Sequence, residues 1–395
     1  MSTVTEVEIH QFTYTAYDVG LSETQFDLVS TPGHRQELSK FAVVITTDDG
    51  LRGEYVGLWG ATSMSLGQVV DLAPRLIGRD AMQREQIYDD FKRAHRQYDH
   101  MGFGFLDIAL WDLAGKKYGV SVSELLGGWR DRLPAYASTM HGDFNGVLSS
   151  PQAYADFADA CYELGYRAFK MHGWGDGDVR RETATVDALG ERVGDRMTLM
   201  NDPACHLRTF RDALSVGRAC DDNGFAWLED PYRDTGVSAH AHRKLRELIR
   251  TPLLVGEHVR GLEPKADLVM AGATDFLRSD PEYDLGITGA MKIAHLGEAL
   301  GIDVEVHAVG PAHRACMSAM RNSNFYEIAL VSPKAANPLP PVYADEYSDT
   351  LESVAADGTF PVPTGPGLGV VYDWDFLSAH TTQVHRYGRG VSDVS

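Results

Sequence analysis

The chain has 395 residues, with 36 Lys and Arg against 56 Asp and Glu, a formal net charge of -20. That balance argues against nucleic acid and anionic membrane surfaces as partners, because both require clustered positive charge. A composition of 44% hydrophobic and 23% charged residues is that of a globular protein with a sizeable core, in one large domain or two. The four cysteines, Cys161, Cys205, Cys220 and Cys316, lie far apart without a CxxC spacing, as in a reduced intracellular chain. The opening MSTVTEVEIHQF has neither the basic nor the apolar region of a secretory signal, and no apolar run approaches bilayer length. A cytoplasmic protein is expected.

In chain order, residues 4–12 and 41–47 read as strands, and Asp48-Asp49-Gly50 before LRGEYV is a hairpin signal. The polar, weakly periodic stretch 18–35 reads as a long loop, and 57–67 (GLWGATSMSLG) as a second one. Helical patterns occupy about 67–118. From about residue 133 short apolar runs alternate with amphipathic helices: AYASTM before 151–164, RAFKMH before 180–193, MTLMND before 208–223. The alternation continues with FAWLED, a helix near 238–250, LLVGEH, TDFLRSD, a helix over 288–300, IDVEVH and finally NFYEIAL. Eight such units predict an α/β fold with a closed (β/α)8 barrel. An open doubly wound sheet would carry a glycine-rich phosphate turn, and neither GxGxxG nor a P-loop is present.

Polar residues recur where these runs end: Lys170 and His172, Asp202, Glu229 and Asp230, Glu257 and His258, Asp280, His307, with Glu327 inside the eighth run. In a barrel that edge is the rim on which active-site groups converge. One acidic residue after a strand is ordinarily a helix cap or a solvated loop residue. Three carboxylates on adjacent strands, Asp202, Glu229 and Glu257, would repel one another unless a cation lay between them. An all-oxygen set with open positions suits a hard divalent ion such as Mg2+. Asp280 and His307 fall on neighbouring strands, where a carboxylate fixes the imidazole tautomer and raises its basicity. Lys170 and His172, two apart on one strand, point to the same side. His206 could approach the rim from the third strand, whereas His240 and His242 read as a solvated helix face.

These positions, in this order, resemble the enolase superfamily and, within it, the mandelate racemase-like group. The resemblance spans nearly the whole chain and includes LDIALWDLAGKKYGVSVSELLGG (106–128) together with LMND, WLEDP and LLVGEH. It implies a modified (β/α)8 barrel over 131–360, an α+β capping domain over 1–130, and a C-terminal segment, 361–395, that returns to the capping domain. It also implies that Asp202, Glu229 and Glu257 bind one Mg2+ per site and that Asp280 and His307 form a catalytic dyad. Lys170 would lie near the substrate carboxylate, and Glu327, protonated when substrate is bound, would donate a hydrogen bond to it or to the enediolate. Segments 18–35 and 57–67 resemble the loops that shape specificity, making His34, Trp59 and Thr62 candidate substrate contacts, with His258 beside Glu257. A homo-oligomer is implied too. The chain departs from the group at Lys170-Met171-His172, where Lys-x-Lys is usual, and at Pro203-Ala204, where Asn often stands two places after the first ligand.

The chemistry expected of these groups is removal of the proton alpha to a carboxylate. Histidine at 172 is a base that needs little tuning near neutral pH, unlike lysine. Two bases facing each other suit dehydration of an aldonic or aldaric acid to a 2-keto-3-deoxy acid. The same pair suits racemisation, epimerisation or cycloisomerisation by proton transfer. A non-catalytic family member is the remaining reading, and no ligand or dyad residue is missing to support it.

Overall fold

The computed structural model describes residues 1–388 apart from Phe26, residues 234–237 and Ala336; of the expected C-terminal segment, residues 389–395 lie outside this set. The chain opens with strands β1 (Val4–Leu21), β2 (Leu28–Thr47) and β3 (Arg52–Val56), then helices α1 (Ser63–Leu72), α2 (Arg84–Ala94), α3 (Phe103–Tyr118) and α4 (Val122–Leu125). The repeating part follows: β4 (Arg132–Thr139), α5 (Pro151–Leu164), β5 (Ala168–His172), α6 (Val179–Val193), β6 (Thr198–Asp202), α7 (Phe210–Asp222), β7 (Trp227–Glu229) and α8 (Ala239–Arg246). It continues through β8 (Leu253–Val255), α9 (Leu262–Met270), β9 (Phe276–Ser279), α10 (Gly286–Leu300), β10 (Val304–Val306), α11 (Pro311–Ala319) and β11 (Tyr326–Val331). Strand β12 (Thr359–Pro361), helix α12 (Trp374–His380) and strand β13 (Thr381–Gly388) complete it.

Strands β4 to β11 form one parallel sheet in the order β11-β4-β5-β6-β7-β8-β9-β10, with β12 antiparallel to β4. The sheet curls until β10 and β11 pack together, where the Ala308 amide donates to Glu327 and the Gly310 amide to the Tyr326 hydroxyl (both 2.8 Å). This is the modified (β/α)8 barrel. Its floor is a layer of Tyr136, Ala168, Met200, Trp227 and Leu254, one from each of five successive strands.

Over the barrel lies an antiparallel sheet in the order β13-β1-β2-β3. Helix α3 is buried on almost every side, from Phe103 to Gly115, because it is packed between that sheet and the barrel. Its Asp107 accepts from the Thr288 amide (2.9 Å) and hydroxyl (2.8 Å), so a capping-domain carboxylate holds the start of barrel helix α10. Gly286 is required there: its φ is +85°, and a Cβ would sit 2.1 Å from Asp107 Oδ2. Asp112, one turn further, accepts from the amides of Glu54 and Leu368 (2.8 Å each) and ties the C-terminal stretch to the same helix.

Two expectations change. Segment 18–35 is mostly strand: β1 and β2 keep pairing through Val19–Ser30, Gly20–Val29 and Leu21–Leu28, leaving only a tight turn at 22–27. Cross-strand pairing satisfies a backbone whose side chains carry no alternating pattern, so the polarity misled the assignment. The register slips between Tyr17 and Val19, and the extra residues of β2 make a bulge in which Gly33 donates to Asp18 (2.7 Å). Segment 57–67 is loop only to Thr62, which caps α1. In addition, His242 is fully buried against Tyr232 rather than solvated, while His240 is exposed. No helix among the described residues is long and apolar enough to cross a membrane.

Glu182 on α6 is a buried carboxyl whose Oε1 has no hydrogen-bond partner among the described residues, and burial pushes its pKa up to about 8. A folded value above the unfolded one means stability is full below the unfolded pKa and declines as pH rises through about 8. Glu182→Gln cannot ionise. In thermal melts it is expected to match the parent near pH 4 and to exceed it by a few degrees near pH 9; coincident melts at the higher pH would refute the assignment.

Candidate active site

Strand register decides which side chains meet. Lys170 pairs with Met200 and His172 with Asp202 across β5 and β6, so the side chains of Lys170, His172 and Asp202 all enter the barrel mouth. The Lys170 ammonium is buried among three carboxylates, 2.9 Å from Glu229, 2.9 Å from Glu327 and 3.3 Å from Asp202. Burial alone would depress it, but Glu229 and Glu327 hold it well above the ordinary lysine range. His172 donates from Nδ1 to the Thr139 carbonyl (2.6 Å), and its Nε2 lies 3.1 Å from Asp202. Both nitrogens therefore face acceptors. Burial opposes protonation there, and Asp202 outweighs it, leaving the pKa above that of a free imidazole.

Asp202, Glu229 and Glu257 each offer an oxygen within 4.8 Å of the others. Asp202 is fixed by the Ala204 amide (2.7 Å), and no larger side chain stands at that position; Ala204 lines the cavity. Asp230 is buried beside the three, with neither oxygen hydrogen-bonded among the described residues and a φ of 28°. Burial, then Glu257, Glu229 and Asp202, raise it far above the carboxylate range. Uncompensated buried oxygens in an all-carboxylate set are what a hard divalent cation would satisfy, so the residues fit Mg2+.

Across the mouth, His307 donates from Nδ1 to Asp280 (2.7 Å) and its Nε2 lies 3.5 Å from Glu257. Burial works against the charged form, yet Glu257 and Asp280 push its pKa up to about 9. Tyr283 stacks on its ring at 5.4 Å. Strands β5 and β10 are three apart one way round the barrel and five the other, so His172 and His307 approach from opposite sides.

Glu327 is held from three directions. Arg278 (2.6 Å), Lys170 (2.9 Å) and the Ala308 amide (2.8 Å) all bind it. Burial alone would raise it, but Lys170 and Arg278 hold it well below the carboxylate range, so here it is an ionised acceptor rather than a protonated donor. Among the loop candidates, Trp59 and His258 line the cavity. Thr62 is occupied as a helix cap and His34 is exposed on the β2 bulge; neither lines it.

Several site groups were not anticipated. Arg278, fully buried, joins Glu229 (2.8 Å) to Glu327; its signal was a charge inside the apolar run FLRS. His313, one turn into α11, donates to the other oxygen of Asp280 (3.1 Å). Glu282 reaches back to the capping loop, accepting from Tyr55 (2.7 Å), the Leu58 amide (2.7 Å) and the Gly60 amide (2.6 Å). Asp27 descends from the β1–β2 turn and joins the cavity wall with His141. The cavity is about 310 Å3, at the small end of the roughly 300–1,000 Å3 usual for ligand sites.

Residues 24–127 match the mandelate racemase / muconate lactonizing enzyme N-terminal domain, and residues 153–376 the enolase C-terminal domain-like family. The chain belongs to the mandelate racemase-like group of the enolase superfamily. It is 30% identical over 353 residues to D-galactarolactone cycloisomerase of Agrobacterium fabrum, covering 85% of this chain and 89% of that one. It is 28% identical over 297 residues to D-gluconate dehydratase of Thermoproteus tenax, covering 70% and 56%. A crystal structure of D-glucarate dehydratase from Agrobacterium tumefaciens complexed with magnesium superposes with a TM-score of 0.84 at 28% identity, covering 96% and 99%.

Removing the Asp280 carboxylate should let the His307 proton leave at lower pH. For Asp280→Asn without metal, NMR titration of the His307 ring is expected to give a pKa about one unit or more below the parent's. A value still near 9 would assign the whole shift to Glu257.

Proposed function

We propose that this protein abstracts the proton alpha to a carboxylate with the help of Mg2+ and dehydrates a sugar acid to a 2-keto-3-deoxy acid. The observation that carries this reading is one cavity in which Asp202 and Glu257, with Glu229 close behind them, face His307, and His172 approaches from the other side. Asp202, Glu229 and Glu257 would hold the ion. Bound there, Mg2+ would act as a Lewis acid on the substrate carboxylate and offset the Asp202 and Glu257 charges that raise the pKa values of His172 and His307.

The chain's own groups do the rest. Lys170 supplies a buried positive charge next to the negative charge that develops as the alpha proton leaves. Arg278 holds Glu229 and Glu327 in place. Asp280, itself gripped by His313, keeps the His307 proton on Nδ1 and turns Nε2 into the cavity. One imidazole takes the C2 proton, the C3–O bond breaks, and an imidazolium supplies the proton with which the hydroxyl leaves as water. The enol then ketonises. The small polar cavity and the similarity to gluconate and glucarate dehydratases support this reading.

A second reading is proton transfer without elimination, or cycloisomerisation. The similarity to a galactarolactone cycloisomerase favours it, and the opposed imidazoles suit it equally. Incubation with aldonic and aldaric acids and their lactones should separate the two. A 2-keto acid appearing with Mg2+, and lost with EDTA, is the expected result; His307→Asn should lower kcat by about 100-fold or more. Deuterium entering at C2 without elimination would select the second reading, and no reaction or exchange with any acid would reject both.

A further inference from the structure

Beyond His172 the cavity wall is built from His141 and Asp27, with His206 behind them, each on a separate segment. His141, after β4, lies against the His172 ring at 4.9 Å. Asp27 comes from the capping turn and His206 from the loop after β6. The His206 Nε2 donates to Asp27 Oδ1 (3.2 Å), and His141 Nε2 lies 3.9 Å from the same oxygen. The other oxygen of Asp27 accepts from Ser22 (3.1 Å) and Thr24 (3.2 Å). The turn is seated on the barrel: the His141 amide donates to the Leu28 carbonyl (3.1 Å).

The order along the cavity is therefore Asp202, His172, His141, Asp27. A substrate whose carboxylate lies at Asp202, Glu229 and Glu257 and whose C2 meets the imidazoles extends its far end toward Asp27. That end holds a fixed negative charge. Burial works against ionising Asp27, but the hydrogen bonds from His206 and Ser22 hold it below the ordinary carboxylate range, while burial pushes the His141 pKa down to about 3, so that ring is neutral. Among the described residues lining the cavity, Lys170 is the only lysine or arginine, and it is committed to Glu229, Glu327 and Asp202. Lys40 packs 6.0 Å from the Trp59 ring and does not line the cavity.

We infer that Asp27, His141 and His206 form a hydroxyl-binding, anion-repelling wall, so that the substrate is a polyhydroxy acid with a single carboxylate and a neutral far end: an aldonate, or an aldarate closed at that end as a lactone. A carboxylate and two imidazoles offer acceptors and donors to hydroxyls, whereas a second carboxylate would meet Asp27 with no free cation to pair it. This inference rests on the acid-sugar reading of the site.

The test compares substrates that differ only at the far end. For the full-length protein with Mg2+, kcat/KM is measured for gluconate against glucarate and galactonate against galactarate, with the aldarolactones as a third arm. An aldonate or lactone should exceed its matched aldarate by about tenfold or more, the scale of one like-charge juxtaposition. In Asp27→Asn the ratio should shift toward the aldarate, and because it compares two substrates in one variant, partial misfolding does not move it. An open aldarate preferred by the parent protein, or a ratio unmoved in Asp27→Asn, would overturn the inference while leaving the acid-sugar reading intact. Absence of turnover and of C2 exchange in D2O for every acid would remove both.

Discussion

Two buried cations, Lys170 and Arg278, hold Asp202, Glu229 and Glu327 in a barrel mouth that also carries the carboxylates of Asp230 and Glu257. Asp202, Glu229, Asp230 and Glu327 are buried and Glu257 is half-buried, where mutual repulsion is poorly screened. Lys170 is shared among three of them, and the planar fork of Arg278 bridges Glu229 and Glu327. Asp230 has neither cation in reach, and it alone of the five is driven far toward its neutral form. Buried ion pairs of this kind contribute little net stability relative to apolar packing. The floor of Tyr136, Met200 and Trp227 directly beneath shows that the fold could have continued its apolar layers upward. A cluster that costs this much and is assembled on or just after six different strands, β5 to β9 and β11, is explained by chemistry at the mouth, not by folding.

The capping domain is bound to this mouth by carboxylates as well. Glu282 lies two residues past the dyad's Asp280 and holds the loop that carries Trp59. Asp280 Oδ1 accepts from the Glu282 amide (2.7 Å), so the group that orients His307 and the group that anchors the capping loop belong to one turn. Asp107 and Asp112 do the same for α3, joining it to α10 and to the C-terminal stretch. The wall residues contributed by the capping domain are therefore placed relative to the catalytic histidines by short, direct links. Movement of one would be felt by the other.

The barrel strands were legible because each is a short apolar run ending in a polar group, and the spacing of those groups matched one βα unit. Asp202, Glu257 and His307 line one cavity for that reason, with Glu229 beside the first two and Asp280 bonded to the third. What the sequence could not display was charge compensation. Arg278 looks like an interruption in FLRS until its two partners, 49 and 49 residues apart in neither pattern nor composition, are brought beside it by strand order; only the fold reveals that Glu229 and Glu327 flank it. The long hairpin was hidden for the opposite reason. Its outer half runs through Ser30-Thr-Pro-Gly-His-Arg-Gln-Glu37, which has no alternating apolar residues to mark a strand. With the turn misplaced, Asp27 read as a loop residue instead of part of the cavity.

The histidine at 172 acquires its meaning from what lies on either side of it. A second lysine at this position would put another ammonium beside Lys170 and would need that repulsion to lower its pKa. An imidazole titrates near neutrality without it, and its flat ring permits the stacking with His141 that a lysine could not make. Because Nδ1 is committed to the Thr139 carbonyl, the ring has one orientation, with Nε2 toward Asp202. Asp202 thus faces both the carboxylate set and the base, while His141 links the base to Asp27 and the capping turn. Under the proposed chemistry, histidine in place of lysine at this strand end would join the proton-carrying group to the wall that holds Asp27.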